Sequence, residues 1–202
     1  RPQPTRPVWN PSHLPQSHGQ SGAADRTGVV VANFAWPLEE AIGRETGDPI
    51  TIGLDPASAV LGGADAANAA RYRAGAAAFR KAVEARLPGW KQKASGAKGV
   101  LLFHKDVNYL TTLLGVPVLG YVEPLPGVPP TAAHLKELTD RFKGLKGAIL
   151  YTEYQPGQGP EFLSRNLGWP KVRLPLDPPV GASAEEYLQL IDRWVDGVAS
   201  GK

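Results

Sequence analysis

Val100-Leu101-Leu102-Phe103-His104 is a short apolar run closed by a histidine, and Val118-Leu119-Gly120-Tyr121-Val122 is a second apolar run. Between them Val107–Leu114 has helix length and stops at Gly115. Strand, helix, strand within so few residues is the signature of a parallel β-α-β unit. The alternation then repeats. Thr131 is placed to cap a helix over Ala132–Phe142, Ala148–Tyr151 reads as a strand, and Glu161–Leu167 as a helix ending at Gly168. Val172–Leu176 is the fourth strand. Ser183 with Glu186 three residues later forms a capping box. It opens a last helix whose buried face carries Tyr187, Leu190, Ile191, Trp194, Val195 and Val198. Four β-α units predict an α/β fold: a parallel sheet covered by helices on both faces, with right-handed crossovers.

Upstream, Asp65–Ala94 is dominated by Ala, Arg, Lys and Glu, all strong helix formers. Tyr72, Ala76, Phe79, Val83 and Leu87 make one apolar stripe along it. Pro88-Gly89 is expected to break or kink this long helix. Residues 46–63 are rich in Gly and Pro, which argues against long regular elements, and Asp55-Pro56 reads as a turn. Gly28–Ala32 is a β-branched run of strand character, and Leu38–Ile42 fits a helical turn or two. Residues 1–24, rich in Pro, Gln, Ser and Gly, have no periodicity and read as loop.

Composition narrows the function classes. Among 202 residues, 42% are hydrophobic and 20% charged, as in a globular domain. No apolar stretch approaches the roughly 18 residues of a membrane span, so no membrane insertion is expected. The net charge of +3 comes from scattered Lys and Arg, which leaves no nucleic-acid footprint. Cysteine is absent, which excludes disulfides, thiolate metal sites, a cysteine nucleophile and a lipidated N-terminal cysteine in this chain. Dinucleotide and phosphate-loop fingerprints are missing, as is a nucleophile elbow.

In open α/β sheets, ligands bind beyond the carboxyl ends of the strands. His104 closes the first strand and Asp177 the fourth, so the two are a candidate metal or catalytic pair. Neutral imidazole and carboxylate both suit Zn²⁺, which takes about four ligands in a tetrahedron, so two need supplementing from elsewhere. The plainer reading is that both residues cap helix N-termini. Asp106 is placed either to orient the His104 ring or, as the better reading, to cap the helix that follows. Glu123 and Glu153 close the second and third strands and line the same edge. His134 reads as a surface or packing residue. His13 and His18 lie in the Pro/Ser/Gln-rich segment.

Several ordered segments carry a resemblance. Asn68-Ala69-Ala70-Arg71-Tyr72 with Ala76–Phe79, Phe103-His104 with Tyr109-Leu110, and Glu123, Gly127, Pro130 and His134-Leu135 come first. Leu150–Glu153, Leu176-Asp177-Pro178 and Tyr187 follow. Together, Ala67–Val198 resembles the C-terminal lobe of the metal-binding proteins that serve zinc and manganese ABC importers. The resemblance implies two α/β lobes joined by a long rigid helix, with one metal ion held between the lobes. On this chain it implies a reduced N-terminal lobe over 1–64, a linking helix over 65–95 and a C-terminal α/β lobe over 96–202. It makes His104 and Asp177 metal ligands and favours Zn²⁺, with Mn²⁺ as the alternative. The N-terminal lobe of such proteins gives two histidines, and here the chain departs from the pattern. Gly47-Asp48-Pro49-Ile50 ahead of Leu54-Asp55-Pro56 puts Ile50 where a ligand belongs, leaving His13 or His18 as the other source. The implied function is a monomeric periplasmic solute-binding protein that hands metal to an ABC permease and catalyses nothing. Two alternatives stand beside it. One is a degenerate accessory protein that binds a protein partner. The other is a metal-dependent hydrolase using the His104/Asp177 crevice.

Overall fold

The structure is a computed structural model and describes residues 54–202, with side chains from residue 57 onward. The strand expected at 28–32, the helical turn at 38–42, and His13, His18 and Ile50 lie outside the described residues.

Four strands form one parallel sheet in the order β2-β1-β3-β4: β1 Val100–Leu102, β2 Val118–Tyr121, β3 Ala148–Thr152 and β4 Lys171–Leu174. All pairings are parallel, with Leu102 opposite both Tyr121 and Leu150, and Thr152 opposite Leu174. Six α-helices are described: α1 Leu54–Ala64, α2 Ala69–Ala94, α3 Asn108–Leu114, α4 Ala132–Phe142, α5 Gln158–Leu167 and α6 Ala184–Ala199.

β1 and β3 are apolar without alternation because both of their faces are buried. Val100, Leu102 and Leu150 face a core with Phe79, Val83 and Trp90 of α2, Leu110 and Leu114 of α3, and Leu190, Trp194 and Val198 of α6. Leu101, Phe103, Ile149 and Tyr151 face the other core, with Leu135, Leu138 and Phe142 of α4 and Leu163 of α5. The predicted two-sided α/β architecture is therefore the observed one. β4 is an edge strand and starts one residue before its predicted bound; Pro175, which has no N–H to give, follows its last residue.

The caps follow the sequence. The Thr131 side chain accepts from the His134 N–H, and Ser183 and Glu186 form both halves of the capping box. Gly115 and Gly168 end α3 and α5 at φ 70° and 71°, the left-handed conformation that glycine adopts without a Cβ penalty.

Three local expectations fail. α1 is an 11-residue helix where breakers argued for a loop and Asp55-Pro56 for a turn. Pro56 falls in its first turn, where backbone N–H groups lack helical partners anyway, so its missing donor costs little. Gly62 sits where α1 meets α2, and a Cβ there would lie 3.1 Å from that of Ala69. Secondly, the long helix does not begin at Asp65. That residue is non-helical (φ −135°, ψ 79°), and a 3₁₀ turn over Ala66–Asn68 separates α1 from α2. Its carboxylate accepts from the Asn68 amide at 2.7 Å and from the Tyr72 hydroxyl at 2.9 Å, and these bonds, the Asn68 one foremost, hold its pKa below the ordinary value.

Thirdly, the break expected at Pro88-Gly89 does not occur, and α2 runs through both residues to Ala94. A mid-helix proline costs about 3 kcal/mol. Burial beyond it offsets that cost: Trp90 is 4% exposed and Ala94 1%, and the Trp90 indole donates to Asp192 of α6 at 2.5 Å. Arg86–Glu185 and Lys93–Asp196 ion pairs, both 2.6 Å, tie the same helices on the surface. These pairs climb together in sequence, so α2 and α6 run parallel, and both descend from the carboxyl edge of the sheet.

Candidate functional site

The carboxyl edge gathers the chemistry. β1 ends in buried Leu102, and backbone bonds to the neighbouring strands continue through the next residue, Phe103, also buried. His104 is the next residue, extended (φ −132°, ψ −176°), with a third of its side chain exposed (33%). Its Nδ1 lies 2.5 Å from Glu123 Oε2. Glu123 is brought there by the parallel pairing, since its N–H donates to the Phe103 carbonyl at 3.0 Å. Its other carboxylate oxygen accepts from the Gly127 N–H at 2.7 Å, which closes the loop after β2. A carboxylate can only accept, so in the neutral ring Nδ1 carries the proton and Nε2 keeps a lone pair for an incoming ligand. This is the arrangement in which a carboxylate fixes the tautomer of a metal-binding histidine.

Asp106 neither orients His104 nor caps a helix. The chain after His104 makes a 3₁₀ turn over Lys105–Val107, and α3 begins at Asn108 with no side-chain cap. The Asp106 carboxylate instead accepts from the Tyr154 hydroxyl at 3.0 Å and the Gln155 amide at 2.7 Å, both in the loop after β3. Gln155 is buried, and its carbonyl accepts from the Thr152 N–H at 2.8 Å. Tyr154 and Gln155 carried no signal of their own in the sequence. Their only clue was their place, two and three residues beyond a strand end.

Asp177 follows β4 and is exposed. Its charge reaches two phenols. Burial first, then Asp177, raises the pKa of Tyr187, whose ring packs on Phe79 at 5.8 Å. Burial is also the first cause raising that of Tyr154; Thr152 opposes it, and Asp106 and Asp177 add to it.

The remaining sequence candidates have structural work. Glu153 is exposed, and its backbone accepts from Arg173 and donates to the Leu174 carbonyl. His134 Nε2 lies 2.9 Å from the Tyr121 carbonyl, which fastens α4 to β2. Among the described residues no three His, Asp or Glu side chains are grouped to hold an ion by themselves. No described helix is long and apolar enough to cross a membrane.

Several solved structures are similar. The metal-binding protein FpvC of Pseudomonas aeruginosa, in complex with Mn²⁺, is 26% identical, with a TM-score of 0.61 over 73% of this chain and 57% of its own. The laminin-binding protein Lmb of Streptococcus agalactiae, described as an adhesin with metal-transporting activity, is 23% identical, with a TM-score of 0.60 over 71% and 57%. A Zn(II)-bound variant of AdcAII from Streptococcus pneumoniae is 19% identical, with a TM-score of 0.59 over 75% and 58%. The last two show the fold alone. The chain spans less than two thirds of each of these structures. No curated protein matches it in sequence. A family model does, over residues 55–201. By that match the chain belongs to the ZnuA family, described as the periplasmic component A of the zinc-uptake complex.

Proposed function

We propose that the protein is a periplasmic solute-binding protein that captures a divalent metal ion, Zn²⁺ before Mn²⁺, and delivers it to an ABC permease. His104 Nε2 and the Asp177 carboxylate are the ligands supplied by residues 96–202, which form the C-terminal lobe. Residues 65–95 act as the link, and residues 1–64, His13 among them, supply the rest of the coordination. The protein works as a monomer and catalyses no reaction. The observation that carries this reading is the His104–Glu123 contact at 2.5 Å, because it leaves the Nε2 lone pair available to a metal ion at a strand end. A similar protein, FpvC, in complex with Mn²⁺ and with Ni²⁺ supports a divalent ion as the cargo.

The test is a calorimetric Zn²⁺ titration of the apo protein beside His104→Ala and Asp177→Ala, with Mn²⁺ run in parallel. One-to-one binding that both substitutions abolish, tighter for Zn²⁺ than for Mn²⁺, is the expected result. Binding that survives both substitutions would remove these residues from the site, and an intact protein that binds neither ion would overturn the reading.

A further inference from the structure

His104 and Asp177 do not stand on neighbouring strands. In the order β2-β1-β3-β4, β3 lies between the two strands that carry them. Two strand spacings put those strand ends roughly 10 Å apart. A single ion bound by both must lie over the end of β3, and the residues there are Thr152 to Gln155. That loop is not held by its own strand alone. Asp106, two residues past His104, binds both Tyr154 and Gln155, and Gln155 in turn binds the Thr152 backbone. Tyr154 keeps 66% of its surface exposed although its hydroxyl is turned onto Asp106.

We propose that Asp106 is a positioning residue: it pins the Tyr154–Gln155 loop between the ends of β1 and β4, and so sets the gap that His104 and Asp177 must close around the ion. This rests on the metal-binding reading above. Asp106 itself does not ligate. With the loop pinned, Tyr154 walls the crevice on the β3 side and limits escape of the ion. When the loop is released, the wall moves and the two ligands lose their fixed separation. The acceptor oxygen of Asp106 is what matters for this role, because one oxygen takes both hydrogen bonds.

The experiment uses the full chain loaded with Zn²⁺ alone. Dissociation into excess chelator is followed by stopped flow, with thermal unfolding recorded for each variant. Asp106→Ala removes the acceptor, and Tyr154→Phe removes one donor. Asp106→Asn keeps an acceptor oxygen but removes the charge. Outer-sphere partners of metal ligands are commonly worth 10–100-fold. Asp106→Ala is expected to release Zn²⁺ about 10-fold or more faster, Tyr154→Phe severalfold faster, and Asp106→Asn within about threefold of the parent. Asp106→Asn as fast as Asp106→Ala would assign the effect to charge and overturn the positioning role. A parent that binds Zn²⁺, with an Asp106→Ala variant that releases it at the parental rate, would refute this inference alone. A parent that binds no Zn²⁺ would refute the metal-binding reading and this one together.

Discussion

Glu123 has two carboxylate oxygens and two donors to satisfy, His104 Nδ1 and the Gly127 N–H, and that count sets up a sharp test. Glu123→Gln preserves shape and volume but leaves one acceptor. If the amide oxygen takes the Gly127 N–H, the amide NH₂ faces His104. The ring must then present a bare Nδ1 and carry its proton on Nε2, where a metal would bind. If the oxygen turns to His104 instead, two N–H groups oppose each other at Gly127 and the loop loosens. The Glu123 side chain is only 13% exposed, so water does little to relieve either arrangement. A hydrogen bond to a charged partner contributes about 1.5–3 kcal/mol against about 1 for a neutral one. The difference, about 0.5–2 kcal/mol, is roughly a two- to thirtyfold loss of metal affinity, and the opposed donors push it toward a hundredfold. Competition with a chelator of known strength reads this directly, and His104→Ala serves as the reference for complete loss. Glu123→Gln binding Zn²⁺ within twofold of the parent, while His104→Ala abolishes binding, would show that the carboxylate does not govern the ring.

Three further predictions concern stability. A Cβ added at Gly147 would lie 2.5 Å from the buried Trp169 ring, whose indole donates to the Leu145 carbonyl at 2.8 Å. Gly147→Ala should therefore cost about 1–3 kcal/mol by overpacking, and lower the melting temperature by roughly 3–10 °C. Gly75 lies inside α2 with no atom of the described residues within 4 Å of an added Cβ, so Gly75→Ala should raise stability by about 0.5–1 kcal/mol; equal melting temperatures for the two variants would contradict both assignments. Glu186 is held below its ordinary pKa of 4.5, first by the Ser183 N–H and then by the Ser183 hydroxyl. Its contribution is therefore fully present above pH 4.5 and lost as pH falls through the lower, folded value. The melting temperature of Glu186→Gln should trail the parent at neutral pH and converge with it in acid, and a gap that stays constant down to low pH would rule out this linkage.

The centre of the sheet was legible because β1 and β3 are buried on both faces, so they read as unbroken apolar runs with helices between them. The caps were legible because Ser183, Thr131, Gly115 and Gly168 each act within a few residues of themselves. Pro88 misled for the opposite reason. Local propensity predicts a break, and the contacts that hold the helix past it come from α6, about a hundred residues away. Asp106 misled in the same way. Its position suits a cap, yet its partners, Tyr154 and Gln155, are 48 and 49 residues distant. His104 and Asp177 stood out because strand ends are where α/β sheets expose side chains. Glu123 was noticed as a neighbour of that edge, but its hold on the His104 ring depends on strand register, which the order of residues does not display.

The bonds that fasten α2 to α6 run from Phe79–Tyr187 down to Lys93–Asp196. Residues 69–78 lie ahead of them and carry α1. At 1.5 Å per residue that length is about 15 Å, a beam rooted in the core that extends past the described α2–α6 contacts toward the edge that holds His104 and Asp177. A helix bends only gently unless broken, so α1 moves against the strand ends mainly by deflection of this beam. A deflection of about 5° over about 15 Å displaces the tip by roughly 1.3 Å. That stroke is short on the scale of domain closure, yet comparable to the difference between a metal–ligand bond made and one lost.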